Sequence, residues 1–206
     1  MLVLQSHKLV GESTPMINRF LKAETLRLLE EHPEGLGDDW ASTCGVWHSS
    51  GLMNNVLDHD PFSALKVPLM AQLIDYAGEL GVDTLSYDVF SPNSWGIDID
   101  EAWVNVNAPG TYQEFHNHAG FHVSGCYYID VPADSGDFII RSPHPLVVFP
   151  GVNEETDYTA EIEVFRPVAG SLVVFPSMVD HRVTKNESTE SRISLAFNAT
   201  IRPRGS

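Results

Sequence analysis

Apolar positions recur at two different periods along this chain, and the change falls near residue 82. Before it the spacing is helical. Ile17, Phe20, Leu21 and Leu28 fall on one side of a helix that Ser13 or Thr14 can cap, that Pro15 can open and that His32-Pro33-Glu34-Gly35 ends. A second helical segment begins near Asp60-Pro61, with Leu65, Leu69, Leu73, Tyr76 and Leu80 spaced three or four apart. Pro68 inside it predicts a break or kink. Between the two, Ser42 to His48 is expected as a strand.

After residue 82 short runs rich in Val, Ile, Tyr, Phe and Trp alternate with Gly, Pro, Asn and Asp clusters. They are TLSYDVF, GIDIDEAWVNVN, FHVSGCYYIDV, DFIIR, YTAEIEVF, GSLVVF, DHRVT and SRISLAFNAT. Strands at this spacing predict a sandwich or barrel. The expected fold class is α+β, mainly β, with a double-sheet core and the N-terminal helices packed outside one sheet. Residues 1–206 form one domain in this scheme: 1–81 a helical support region, 82–200 the β core.

Composition narrows the function. A chain of 206 residues, 43% hydrophobic, can bury a real core. It holds no apolar run long enough to span a membrane and no signal-peptide pattern at MLVLQSHKLVGES. Cys44 and Cys126 are too few for a disulfide framework, so a cytoplasmic location is expected. The net charge of −16 repels phosphate backbones and disfavours a nucleic-acid partner. It selects no other partner, and a homodimer is only the default guess.

The candidate chemistry begins at FHNHAGFHVSG. Residues two apart in a strand share a face, so His116 and His118 can converge on one metal atom. Neutral imidazole suits iron, zinc, copper and nickel. A lone His-x-His is a weak signal, and its bland reading is a pair of loop histidines. A third ligand has to come from elsewhere in the fold, and His181 is the candidate. With a hairpin centred between Asn186 and Glu187, His181 stands opposite Arg192, and Ser194 falls on the arginine's face. A buried arginine needs an anion, either a core carboxylate or the carboxylate of a ligand.

These residues carry a resemblance. His116-x-His118, the distant His181, then Arg192 with Ser194 two further on, is similar to the pattern of 2-oxoglutarate/Fe(II)-dependent oxygenases. The likeness extends to small prolyl-hydroxylase-like members with a Y-x-x-x-H-x-H motif, here Tyr112 to His118. It spans about residues 101 to 200 and implies a double-stranded β-helix, or jelly roll. NVNAPGTYQEFHNH also resembles the corresponding region of alkylation-repair dioxygenases. By that likeness Asn105 contacts the 2-oxoglutarate carboxylate next to the keto group. GCYYID resembles prolyl hydroxylases in which the second tyrosine, here Tyr128, bonds the far carboxylate.

The resemblance implies Fe(II) held by His116, His118 and His181, with 2-oxoglutarate reaching Arg192, Ser194, Tyr128 and Asn105. It implies hydroxylation of an unidentified small-molecule or peptide substrate. His118 departs from the usual Asp or Glu, and three neutral ligands leave the metal one more unit of positive charge. His122 is expected to line the pocket or support the ligands without binding metal. Trp103, Phe121 and Tyr127 read as core residues, with Trp103 bordering the pocket. His7, His32, His48, His59 and His144 read as surface or loop residues. The rival readings are a cupin-like three-His dioxygenase without 2-oxoglutarate, a non-catalytic metal-binding β-barrel and a nucleic-acid demethylase.

Overall fold

The structure is a computed structural model and describes residues 5–9, 11–35, 43–82, 95–141 and 162–203. The expected strand TLSYDVF, the start of YTAEIEVF and His144 lie outside the described residues.

Helix α1, Thr14–Glu31, carries Pro15 in its first turn, where the missing N–H costs nothing. Ser13 occupies the N-cap without a side-chain bond, and the Thr14 hydroxyl instead donates to the Gly11 carbonyl at 2.8 Å. Its buried stripe is Asn18, Leu21, Thr25 and Leu28. Phe20, expected in that stripe, is 54% exposed with Arg19 over its ring. Helix α2, Lys66–Glu79, follows a 3-10 turn at Phe62–Leu65, so Pro68 sits in its first turn and the break falls before the helix. Leu65, Leu69, Leu73 and Tyr76 are fully buried, each worth roughly 1.5–3 kcal/mol relative to exposure. Leu80 lies past the helix end and is 41% exposed.

Eleven strands form two antiparallel sheets among the described residues. They are β1 Gln5–Lys8, β2 Thr43–Cys44, β3 Trp47–His48, β4 Trp95–Asn107, β5 Tyr112–His116, β6 Val123–Asp130, β7 Phe138–Arg141, β8 Ile162–Phe165, β9 Ser171–Pro176, β10 His181–Val183 and β11 Arg192–Pro203. One sheet runs β1-β9-β6-β11-β4-β3, the other β2-β5-β10-β7-β8. Two sequence expectations change here. Ser42 to His48 is not one strand: Gly45, at φ +76°, turns the chain so that β2 joins the five-stranded sheet and β3 the six-stranded one. β10 and β11 are not a hairpin either, because they belong to different sheets.

Alternation along the strands makes two cores. Tyr127, Ile129, Leu172, Val174, Ile193 and Leu195 face the helices, with α1 against β6 and α2 against β4. Tyr128, Val173 and Phe175 point between the sheets and meet Phe138, Ile140 and Val183 from the other side. The helices therefore cover one sheet only, as expected from the sequence, and leave the space between the sheets for the site.

Candidate metal and cosubstrate site

His116 ends β5 and His181 begins β10, and the two are directly opposed in the β5–β10 register. Directly opposed residues on adjacent strands share a face, and their ring centroids are 4.3 Å apart. His118 is not in a strand. It lies in the connection after β5, so period-two geometry does not place it. The backbone does: the His118 N–H donates to the Ser177 carbonyl at 2.8 Å, and the Phe121 N–H reaches the His118 carbonyl at 3.3 Å. Asn117, next to it, donates to Asp180 at 2.9 Å. The ring of His118 stacks on His181 at 5.1 Å and lies 6.0 Å from Trp103.

One ligand atom from each of His116, His118 and His181 lies within 4.8 Å of the others, a separation one metal ion can bridge. The protonation pattern agrees. Nδ1 of His116 donates to the Glu114 carbonyl at 2.8 Å, and Nδ1 of His181 to the Val179 carbonyl at 3.0 Å. A carbonyl can only accept, so Nε2 of each ring is the unprotonated, metal-directed nitrogen. Burial lowers the pKa of all three. His118 is pushed down to about 4 by burial and by His116, and His181 is pushed well down by burial and by both neighbours. At neutral pH the cluster is three neutral imidazoles, the form a metal needs. The residues present fit a divalent transition metal.

The opposite wall of the same cavity comes from the six-stranded sheet. Ser194 is paired with Asn105 on one side and Tyr128 on the other, which makes one polar row across β4, β11 and β6. Trp103 Nε1 donates to Asn105 Oδ1 at 3.2 Å, leaving the amide nitrogen for a ligand. Arg192 is 2% exposed and has no carboxylate within 4 Å among the described residues. Its Nη1 donates to the carbonyls of Ser135 and Gly136, at 3.3 and 3.1 Å, while its Nε has no partner. Gly136 has φ +96°, and a Cβ there would stand 2.4 Å from the Thr184 carbonyl oxygen, so glycine is needed for this approach. Burial lowers the Arg192 pKa.

All seven sequence-selected residues line this one cavity, whose open space is about 480 Å³ with its mouth included. His122 does not. It is exposed, and its Nδ1 accepts from the Ile201 N–H at 3.1 Å, which fastens the loop to β11. His48, expected at the surface, is 4% exposed and bonded to Ser50. Cys126 carried no sequence signal, yet its thiol lines the cavity between the Ser194 and Tyr128 hydroxyls.

Residues 101–198 match the family model described as "Putative 2OG-Fe(II) oxygenase". That segment belongs to the 2OG-Fe(II) oxygenases. This oxygenase is therefore an oxidoreductase whose cofactor is Fe(II) and whose cosubstrate is 2-oxoglutarate. Among solved structures it is similar to a Pseudomonas putida prolyl-4-hydroxylase, with 19% identity, a TM-score of 0.61, and 97% of this chain and 94% of that chain covered. It is also similar to SnoN, a non-heme alpha-ketoglutarate-dependent epimerase of nogalamycin biosynthesis, with 15% identity, a TM-score of 0.64 and coverage of 100% and 80%. HygX from Streptomyces hygroscopicus, holding nickel, 2-oxoglutarate and hygromycin B, shares 13% identity at a TM-score of 0.59, with coverage of 97% and 83%. At these identities the likeness establishes the fold, the double-stranded β-helix. No curated protein matches the chain. The family match disfavours a cupin-like or non-catalytic reading. No helix among the described residues is long and apolar enough to cross a membrane.

Proposed function

We propose that this oxygenase hydroxylates a C–H bond of its substrate, with His116, His118 and His181 as the iron ligands. Arg192, Ser194 and Tyr128 take the 5-carboxylate of 2-oxoglutarate, and Asn105 takes the carboxylate beside its keto group. One observation carries this reading. Three neutral imidazoles converge at one wall of a cavity, and a buried arginine without a counter-ion stands on the other. A cation so placed is costly until an anion arrives, and a dicarboxylate that also chelates the metal answers both walls at once.

When bound, iron and 2-oxoglutarate supply the oxidation, in which dioxygen leaves one oxygen in succinate and one in the substrate hydroxyl as carbon dioxide departs. The chain's own work is placement. His116 and His181 present Nε2 because backbone carbonyls hold their Nδ1 protons. Phe138, Phe175 and Val183 keep water from the region between the sheets. Trp103 fixes the Asn105 amide.

The substrate is a small molecule or peptide. Solved neighbours named for prolyl hydroxylation and for hygromycin B span both kinds and choose neither. The net charge of −16 weighs against a nucleic acid, including for a demethylase activity. A cytoplasmic enzyme, with a homodimer as the default, completes the proposal. The test is anaerobic titration with Fe(II) and then 2-oxoglutarate, followed by succinate release on admitting air. Absence of 2-oxoglutarate binding, or binding indifferent to Arg192→Ala, sinks it.

A further inference from the structure

His118 is the one member of the histidine cluster that no strand carries, so its place depends on what holds the turn beside it. That turn joins β9 to β10 through Ser177, Met178, Val179 and Asp180. It reaches the cluster at three points. The Ser177 carbonyl accepts the His118 N–H at 2.8 Å, the Val179 carbonyl accepts from Nδ1 of His181 at 3.0 Å, and the Asp180 carboxylate accepts from the Asn117 amide at 2.9 Å. His116 is independent of the turn, because Glu114 on its own strand holds its Nδ1.

The Asp180 end of the turn is fastened to β7 by the Arg141 N–H at 2.8 Å. At the other end, the backbone of Ser177 bonds only to His118 and His122, in the very loop it places. Its side chain goes elsewhere. Asn198 stands opposite Glu101 of β4 and opposite Ser124 of β6, a second polar row further along β11 from Ser194. Asn198 Nδ2 donates to Glu101 Oε2 at 3.1 Å, which turns its Oδ1 toward the Ser124 hydroxyl at 2.8 Å. A carbonyl oxygen only accepts, so Ser124 gives its single hydrogen to Asn198. Ser177 must then donate in the 2.8 Å contact between the two serine hydroxyls. One directed chain therefore runs from Ser177 through Ser124 and Asn198 to the Glu101 carboxylate.

Ser177, Ser124 and Asn198 are buried, and Ser124 lines the cavity. Each such bond adds only about 0.5–1.5 kcal/mol of net stability, but a fully satisfied chain holds one geometry. We propose that Ser177 and Ser124 are positioning residues for the metal site: the chain ending on Glu101 fixes the turn, and the turn sets His118 and His181. The inference rests on these histidines being the iron ligands and extends beyond the ligand set.

The test is anaerobic Fe(II) titration of Ser177→Ala, with ring-nitrogen NMR of the Zn(II)-loaded protein to report each histidine separately. Ser177→Ala is expected to weaken Fe(II) about tenfold, the scale of a lost partner behind a metal ligand. The His118 and His181 signals are expected to move and those of His116 to stay, which a general loosening would not produce. Ser124→Ala should repeat the pattern. Ser124→Thr keeps the hydroxyl and has the cavity for its methyl group, so it should bind Fe(II) within twofold of the unmutated protein. Affinity within twofold in Ser177→Ala overturns the proposal, as does an equal shift in all three histidines or an equal loss in Ser124→Thr and Ser124→Ala. Should the alanine variants not fold, the unmutated protein decides. Coupling is reciprocal, so Zn(II) loading is expected to slow amide exchange at Ser177 and His118, and unchanged exchange overturns the proposal. His118→Ala separates the two claims. If it loses Fe(II) while Ser177→Ala does not, this inference alone fails; if it binds Fe(II) normally, the parent reading fails as well.

Discussion

His181 and Arg192 stand on different sheets and line the same cavity: His181 opens β10 beside His116, and Arg192 opens β11 beside Asn107. The chain between them crosses from one sheet to the other, so in the proposed function the metal end and the carboxylate end of the site would be held by separate layers. Removing Arg192 should therefore leave the metal cluster intact. Arg192→Ala is expected to weaken 2-oxoglutarate by about 10²-fold, or roughly 3 kcal/mol, with Fe(II) binding unchanged. Arg192→Lys should recover only part of the loss, since an ammonium lacks the planar fork. Parallel titrations with metal and with cosubstrate check both statements.

His118 and His122 make a second contrast. Both belong to the loop after β5, but only His118 has a ring nitrogen within 4.8 Å of those of His116 and His181. His118→Ala should abolish stoichiometric Fe(II) binding, whereas His122→Ala should retain it and lose only the bond to the Ile201 amide. Metal content after anaerobic loading and desalting distinguishes them, and the reverse outcome would move the site.

Protonation should unload the cluster. With the folded pKa of His118 near 4 and its unfolded value near 6.5, the unfolded chain binds more protons between these limits. Stability of the metal-free protein is then full above about pH 6.5 and falls as the pH drops toward 4. His116 and His181, lowered by burial in the same direction, add to the slope. Urea unfolding of the metal-free protein at pH 7.5, 6 and 5 measures it, and a flat profile would contradict the burial of these rings.

Asn18 should matter for stability and not for chemistry. From α1 it accepts the Tyr127 hydroxyl at 2.7 Å and donates to the Ile129 carbonyl at 2.7 Å, both in β6. Asn18→Ala strands both buried partners and is expected to cost about 2–4 kcal/mol in urea unfolding. Tyr127→Phe, which leaves only Asn18 unsatisfied, should cost less. Neither should change Fe(II) or 2-oxoglutarate affinity.

Much of this site was legible in the sequence because strand alternation sorts residues by face. Arg192 and Ser194 shared a face with cavity-lining Ala196 while Ile193 and Leu195 went to the helices, and the two-residue period says so without a structure. The hairpin expected to join His181 to Arg192 does not form, because the two strands lie in different sheets, yet both residues line the same cavity. A polar stretch such as Lys185 to Glu190 reads the same whether it turns within a sheet or between sheets. Here Asn186 decides it, donating to the carbonyls of Asn107 and Glu190. β5 was hidden because its strand, YQEFH, is polar, and β1 because it lies outside the β-rich half.

The division of the site between two layers has a mechanical consequence. His116 and His181 sit on one sheet with His118 in the connection beside them, so iron alone fastens little beyond that layer. In the proposed binding mode 2-oxoglutarate, held at one end by the metal and at the other by Arg192, would act as a tie-rod across the barrel. Its arrival should slow amide exchange in β11 and β4 as well as in β5 and β10. Conversion to succinate takes away the chelating keto acid and loosens the rod, so each turnover would relax the very framework that the next cosubstrate molecule must tighten.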